Sequence, residues 1–242
     1  MTPAGAGAPD QDPALRAAAG QTSHPGGTAL TDHALTLAAP PSGGVVLDVG
    51  CGAGETVARL TDRYGLRGIG VEPSPASLAE GRRRHPGLPL LRGRAEALPL
   101  GSGSVDMVLA ECVLSLVEAP GVALGEFARV LRPGGCLVLT DLYARDPAGT
   151  ALLRALPAAS CLRGARALAD ILGLLRRAGL RWCYGQDRSA DLAAFTVQLI
   201  WGTGSASGLC CAVGSPSFPD LSRAVRAARP GYLLLIARTE GA

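Results

Sequence analysis

The chain has 242 residues, of which 48% are hydrophobic and 18% charged, so it is long enough to bury a core and is not disordered as a whole. Its 23 basic and 20 acidic side chains leave a formal net charge of +3. The basic residues are scattered rather than gathered into blocks, which argues against nucleic acid as a partner, and none of them is a lysine that could act as a nucleophile.

No stretch of the sequence reaches the roughly 18 consecutive apolar residues of a membrane helix. The longest candidate, residues 107–117, is interrupted by Glu111. The N-terminal residues lack the positive and apolar regions of a secretory signal. Seven cysteines, an odd number without a C-x-x-C pair, argue against a disulfide framework and a common zinc site. We therefore expect a cytoplasmic protein without a membrane span or a bound metal.

The N-terminal residues 1–27 are rich in Ala, Gly and Pro without a steady period, and we predict that they form a disordered arm that carries no chemistry. Residues 28–242 are predicted to form a single domain. This domain begins with a short helix from Thr28 that Pro40 and Pro41 terminate.

Beyond that helix, short apolar runs, glycine-rich turns and helical stretches alternate, which is typical of a parallel sheet covered by helices. The predicted strands number seven and cover residues 45–49, 68–71, 88–91, 106–110, 136–140, 180–184 and 231–237. The predicted helices cover residues 55–64, 75–84, 122–131, 165–178 and 192–201, and a loop rich in Gly, Ser and Cys is predicted at 202–216.

Three glycines, Gly50, Gly52 and Gly54, follow the first predicted strand in the row VVLDVGCGAGET and open a helix. Backbone N–H groups and the helix N-terminus can approach a ligand closely at such a turn, although the same turn also occurs without a ligand. Glu72 lies 24 positions after Asp48, at the end of the next strand, where a carboxylate can accept both hydroxyl hydrogens of a ribose. A dehydrogenase and a methyltransferase both remain possible at this point.

Five strings, LDVGCGAG, GVE, AEALP, SVDMVLAE and RVLRPGG, occur in this order between residues 45 and 141. In this combination the sequence resembles the class I S-adenosylmethionine-dependent methyltransferases. The resemblance implies an α/β, Rossmann-like seven-stranded mixed sheet with an antiparallel last strand and helices on both faces. It also implies S-adenosyl-L-methionine as cofactor and a small-molecule methyl acceptor.

The resemblance further implies how the cofactor is held. It assigns the glycine turn to the methionine end, Glu72 to the ribose and the AEALP string to the adenine, while Asp48 orients the turn or meets the ammonium group. Arg94 departs from the family pattern, in which Asp often stands at that position, because an arginine cannot accept a hydrogen bond from the adenine amino group. The implied cofactor-binding residues are Asp48, Gly50, Cys51, Gly52, Gly54, Glu72, Ala95, Glu96 and Glu111.

The second half of the chain, TDLYARD followed by SCLRGARALADILGLLRRAGL, is similar to arsenite methyltransferases. In that family a Cys-Leu-x-Gly-Ala string supplies a thiolate to As(III), and Cys161 occupies the matching position. Cys210 and Cys211 lie 49 and 50 positions later, about where the family carries another ligand. The family's upstream cysteine is missing, because the first cysteine here is Cys51 within the glycine turn.

Methyl transfer depends mainly on placing the acceptor in line with the methyl group, so no catalytic triad is expected. The candidates for a catalytic role are Glu111, Cys161 and Cys211. Two alternatives stay open: an arsenite or other thiol-bound soft acceptor, held by Cys161 with Cys210 or Cys211, and a non-catalytic partner protein that binds the cofactor.

The three histidines offer no base at an obvious site position. His24 falls in the predicted arm, and His85 follows a run of arginines at a helix end, where solvent is the expected partner. His33 lies on the helix before the first strand.

Overall fold

A computed structural model describes residues 22, 24–156, 160–205 and 218–240 of the chain. Residues 1–21 and 23 of the predicted arm lie outside the described residues, as do residues 206–216 of the predicted loop.

The described part of the chain contains eight strands and nine α-helices, with one 3-10 helix at Pro147–Gly149. The strands are β1 (Val45–Val49), β2 (Arg67–Glu72), β3 (Leu90–Arg92), β4 (Val105–Glu111), β5 (Leu131–Ala144), β6 (Arg166–Ala167), β7 (Leu180–Asp187) and β8 (Pro230–Thr239). The helices are α1 (Gly27–Ala38), α2 (Glu55–Tyr64), α3 (Pro75–Arg84), α4 (Pro120–Val130), α5 (Thr150–Arg154), α6 (Cys161–Gly164), α7 (Leu168–Arg177), α8 (Ser189–Gly202) and α9 (Phe218–Ala228).

The strands form one mixed sheet in the order β3-β2-β1-β4-β5-β8-β7. Strand β8 runs antiparallel to both β5 and β7, while the pairs from β3 to β5 are parallel. The predicted Rossmann-like sheet with an antiparallel last strand is therefore confirmed. The prediction of seven strands missed β6, whose two residues pair with the end of β5.

Side chains alternate between the two faces of the sheet, as the period of two along a strand requires. Along β1, Leu47 faces a core that includes Phe127 of α4, and Val46 faces a second core that includes Leu60 of α2 and Leu30 of α1. Helices α4 and α7 thus cover one face, and α1, α2, α5 and α9 cover the other. Helices on both faces explain why the central strands are apolar on both sides.

Several element boundaries differ from the predictions. The helix predicted over 165–178 begins only at Leu168, because Arg166 and the residue after it pair with β5. Strand β5 begins at Leu131, where it pairs with Val105, so Pro133 lies inside the strand rather than before it. Helices α5, α6 and α9 were not predicted.

Strand β1 lies between β2 and β4, and this arrangement positions the candidate site. Val49, the last residue of β1, is paired with Val71 and Ala110. The residues that follow these two partners are Glu72 and Glu111, so both carboxylates reach the edge of the sheet where β1 ends. In open α/β sheets, ligands bind at this edge, beside the strand at which the chain order reverses.

Gly164, at the end of α6, permits a close approach between that helix and the segment after β4. A Cβ atom at position 164 would collide with the carbonyl oxygen of Ser115. We therefore expect Gly164→Ala to lower the free energy of unfolding by about 1 to 3 kcal/mol, as overpacking does. Denaturant unfolding measures the change.

The matched control is Gly125→Ala, on the exposed side of α4, where an added Cβ meets no atom within 4 Å. This variant should gain about 0.5 to 1 kcal/mol, since alanine favours a helix interior over glycine. Equal free energies of unfolding for Gly164→Ala and the unchanged protein would contradict the proposed close packing.

Candidate active site

The glycine turn joins β1 to α2 at the centre of the sheet edge. Gly50, Gly52 and Gly54 have φ angles of +73°, +54° and +86°, which lie in the left-handed region that glycine adopts without strain. The Gly50 N–H donates to the carbonyl oxygen of Val71 over 2.8 Å, so the turn is held against the neighbouring strand. A Cβ at position 50 would lie 2.8 Å from a methyl group of Val113.

Glu72 is buried, with 7% of its surface exposed, and its carboxylate holds the turn in place. Oε2 accepts from the Gly52 N–H over 3.1 Å, and Oε1 accepts from the Ser74 N–H over 2.8 Å. Glu72 thus performs the orientation of the turn that the resemblance assigned to Asp48.

Asp48 lies on β1 between Glu72 and Glu111 and is 4% exposed. Among the residues that the structure describes, none donates a hydrogen bond to its carboxylate. Burial raises the pKa of Asp48 well above its usual range, and the negative charges of Glu111 and Glu72 raise it further. Because a buried carboxylate without a donor is costly, this position suits a ligand that brings a positive charge or an N–H group.

Glu111 ends β4 and is held by residues from the N-terminal side of the chain. The Thr31 hydroxyl, on α1, donates to Oε1 over 2.9 Å and lies 3.3 Å from Oε2. His24 Nε2 lies 3.5 Å from Oε2, and both side chains are more than nine-tenths buried. His24 thus lies beside a candidate site residue. This position does not support the expectation that residues of the predicted arm carry no chemistry.

The AEALP string forms a loop next to Glu72. The Gly93 N–H donates to the Glu72 carbonyl oxygen over 3.3 Å, and Ala95 is buried. The Arg94 side chain points to Glu96, with 3.5 Å between Nη2 and Oε1. The structure thus brings the predicted adenine loop to the predicted ribose residue.

Two thiols lie together just after Glu111. Cys112 is buried with a φ angle of +56°, which is strained for a residue with a side chain, and its Sγ lies 3.2 Å from the Tyr232 hydroxyl. Cys161 Sγ lies 4.0 Å from the Cys112 carbonyl oxygen. A hydrogen bond with the Cys161 side chain, in which Cys112 keeps its proton, and then burial raise the pKa of Cys112 well above its usual range. Sequence reasoning missed Cys112 as a partner of Cys161.

Of the other cysteines expected at the site, Cys51 faces the core. Burial raises its pKa, so the side chain is a neutral apolar group, and its sulfur packs where a side chain at Gly70 would lie. Cys210 and Cys211 lie outside the described residues.

Asp141 on β5 ties the segment after β4 to the sheet. It accepts from the Ser115 N–H over 2.9 Å, from the Ser115 hydroxyl over 2.5 Å and from the Leu142 N–H over 2.7 Å. Burial raises its pKa to about 6, against the opposing effect of these hydrogen bonds. This acidic residue fixes the backbone that carries Cys112 and was not recognised from the sequence.

The described ranges contain no cluster of three or more His, Cys, Asp or Glu side chains that could hold a metal ion. Within the same ranges, every helix is too short or too polar to cross a membrane.

Comparisons with known proteins agree with this geometry. Residues 47–139 match the family model described as a methyltransferase domain. The chain is 35% identical over 128 residues to the uncharacterized methyltransferase YodH of Bacillus subtilis, which covers 52% of this chain and 54% of the relative. It is 40% identical over 109 residues to an uncharacterized methyltransferase of Mycobacterium sp. strain KMS, covering 45% and 43%. The match thus spans about half the length of these relatives.

Solved structures show the same fold at low sequence identity. A geranyl diphosphate methyltransferase in complex with S-adenosylmethionine superposes with a TM-score of 0.70 at 17% identity, covering 87% of this chain and 84% of the other. The cyclase SpnF superposes with a TM-score of 0.67 at 23% identity, covering 88% and 81%. From the matched domain and the named relatives we conclude that residues 47–139 form a methyltransferase domain, and the solved structures share its fold.

Proposed function

We propose that the protein transfers the methyl group of S-adenosylmethionine to a small-molecule acceptor. The observation that carries the proposal is Asp48, a buried carboxylate to which none of the described residues donates a hydrogen bond, and which lies between two further carboxylates at the edge where β1 ends. S-adenosylmethionine carries an ammonium group that would supply the missing positive charge and donors.

Residues at the same edge of the sheet would make the remaining contacts with the cofactor. The Glu72 carboxylate would accept from the ribose hydroxyls, and the turn that Glu72 holds would let the methionine end approach the backbone. The loop of Ala95 and Glu96, next to Glu72, would border the adenine. Arg94 pairs with Glu96, so the adenine amino group would need an acceptor other than residue 94.

The chain's own contribution to the reaction is placement and exclusion of water. The cofactor supplies an activated methyl group, and the protein must align the acceptor atom at about 3 to 3.5 Å from it. Glu111 and Cys112 follow β4, where they would border the methyl group and the acceptor. The buried thiol of Cys112 remains protonated at neutral pH, so Cys112 adds no charge to this wall of the site.

A second candidate function is methylation of arsenite or another soft acceptor bound by thiols. The contact between Cys161 and Cys112 favours it, because thiolates bind soft ions and two of them would lie beside the methyl donor. Binding would require both thiols to lose their protons.

The free thiols of the described cysteines also fit our inference that the protein works in the cytoplasm.

The first test is calorimetric titration of the purified protein with S-adenosylmethionine, S-adenosylhomocysteine and NADH. We expect micromolar binding of the first two and none of NADH. Binding of NADH alone would contradict the proposal. Binding of none of the three would favour a partner protein that keeps the fold without catalysis.

Substitution of Glu72 tests its role directly. We expect Glu72→Ala to weaken S-adenosylhomocysteine binding by about 1.5 to 3 kcal/mol, the range for hydrogen bonds to a charged group. Asp62→Ala, at an exposed position on α2, is the control and should leave the dissociation constant unchanged. An unchanged dissociation constant in Glu72→Ala would remove Glu72 from the site.

Substitution of Asp48 should separate stability from binding. Its pKa is higher in the folded protein than the value of 3.8 in the unfolded chain, so it destabilises the fold increasingly as the pH rises above about 4. Asp48→Asn should therefore unfold at a higher temperature than the unchanged protein at pH 8 and bind S-adenosylhomocysteine more weakly. Thermal unfolding and calorimetry measure the two effects, with Asp62→Asn as the control. A lower melting temperature for Asp48→Asn would contradict this account.

The soft-acceptor candidate is tested by turnover with arsenite, measured as release of S-adenosylhomocysteine. Cys161→Ser should abolish arsenite-dependent turnover, whereas Cys183→Ser, at an exposed position on β7, should retain it. If arsenite supports no turnover by the unchanged protein, or if Cys161→Ser remains active, this candidate is rejected.

A further inference from the structure

We propose that His24 is a positioning residue of the cofactor site, which holds the carboxylate of Glu111 in place by donating a hydrogen bond to it from Nε2. The proposal rests on the proposed function, because it concerns the site that would bind S-adenosylmethionine.

The hydrogen-bonding partners of the imidazole define its protonation. Nδ1 lies 3.2 Å from the carbonyl oxygen of Pro25, which can only accept, so Nδ1 carries a hydrogen. Nε2 is buried, forms no hydrogen bond within the described part of the chain and lies 3.5 Å from Oε2 of Glu111. A lone pair on Nε2 would repel the carboxylate at this distance. A hydrogen on Nε2 that points to Oε2 turns this repulsion into an attraction.

The charges around this pair explain why it matters. Asp48, Glu72 and Glu111 are three acidic groups at one buried edge, and the negative charge of Glu111 disfavours ionisation of Asp48. Two arginines bind other acidic residues: Arg59 binds Asp32 on α1, and Arg188 binds Asp191. Among the described residues, His24 is the basic side chain that faces the Glu111 carboxylate.

The local backbone is shaped to bring His24 to this position. Gly26 and Gly27 have φ angles of +81° and +51°, so the chain turns sharply before α1 begins. A Cβ at Gly26 would lie 2.7 Å from Cβ of Leu30, so a larger residue does not fit there. Thr31, one turn into α1, then donates to the same carboxylate from a second direction. Glu111 is thus held by two groups that flank this glycine turn.

Three substitutions at one position distinguish the role of Nε2 from simple packing. The amide nitrogen of glutamine can replace Nε2 as a donor, whereas that of asparagine reaches only the position of Nδ1. We expect His24→Gln to bind S-adenosylhomocysteine within about twofold of the unchanged protein, and His24→Asn and His24→Ala to bind it about tenfold more weakly or worse, as for the loss of a hydrogen bond to a charged group. Calorimetric titration at one pH measures all four proteins.

Two further variants separate this role from a general effect on folding. His33→Ala is the control on α1, because His33 Nε2 bonds to Gln186 over 3.0 Å instead of to the site, and its binding should not change. In the Glu111→Gln background, His24→Ala should cause no additional loss of affinity, since the two residues act as a pair.

Each outcome decides a different question. Equal affinity for all His24 variants and the unchanged protein overturns this inference and leaves the proposed function intact. The inference is also overturned if His24→Gln is as weak as His24→Ala, or if the losses from His24→Ala and Glu111→Gln simply add. Failure of the unchanged protein to bind the ligand overturns the proposed function, and this inference with it.

Discussion

Parallel pairing of β1 with β2 on one side and β4 on the other is the constraint on which the candidate site depends. The pairing aligns the ends of three strands, so the acidic residues that terminate or precede those ends meet at one buried edge. The three carboxylates have different partners. Backbone N–H groups bind Glu72, the Thr31 hydroxyl binds Glu111, and no described residue donates a hydrogen bond to Asp48.

The parts of the site that could be predicted from the sequence are those whose residues lie close together in the chain. Glycines at 50, 52 and 54 and the acid at 72 lie within two adjacent strand ends, and a local pattern locates them without knowledge of the packing. The mixed sheet was predictable for the same reason, together with the resemblance of the central strings to a known family. Boundaries were less accurate where tertiary pairing overrides propensity, as at Arg166 in β6.

The contacts that could not be predicted join residues far apart in the chain. Thr31 and Glu111 are separated by 80 positions, and Cys112 and Cys161 by 49, so neither pair leaves a periodic signal. His24 lies in the stretch 1–27, whose composition predicts disorder, and composition says nothing about which single residue packs against the sheet. The position of the Cys112 side chain depends on the strained backbone after β4. Asp141 holds that backbone through Ser115, a contact between distant residues that no local pattern predicts.

The burial of Asp48 has a consequence for how much of the protein a cell contains. The Asp48 carboxylate opposes folding as long as no ligand binds it. A ligand that binds only the folded state stabilises that state by mass action, so the folding equilibrium depends on the ligand concentration. In cells, proteases and chaperones remove chains in proportion to the time that they spend unfolded. The steady-state level of this protein would then follow the supply of its methyl donor, so that abundance as well as turnover reports the metabolic state of the cell.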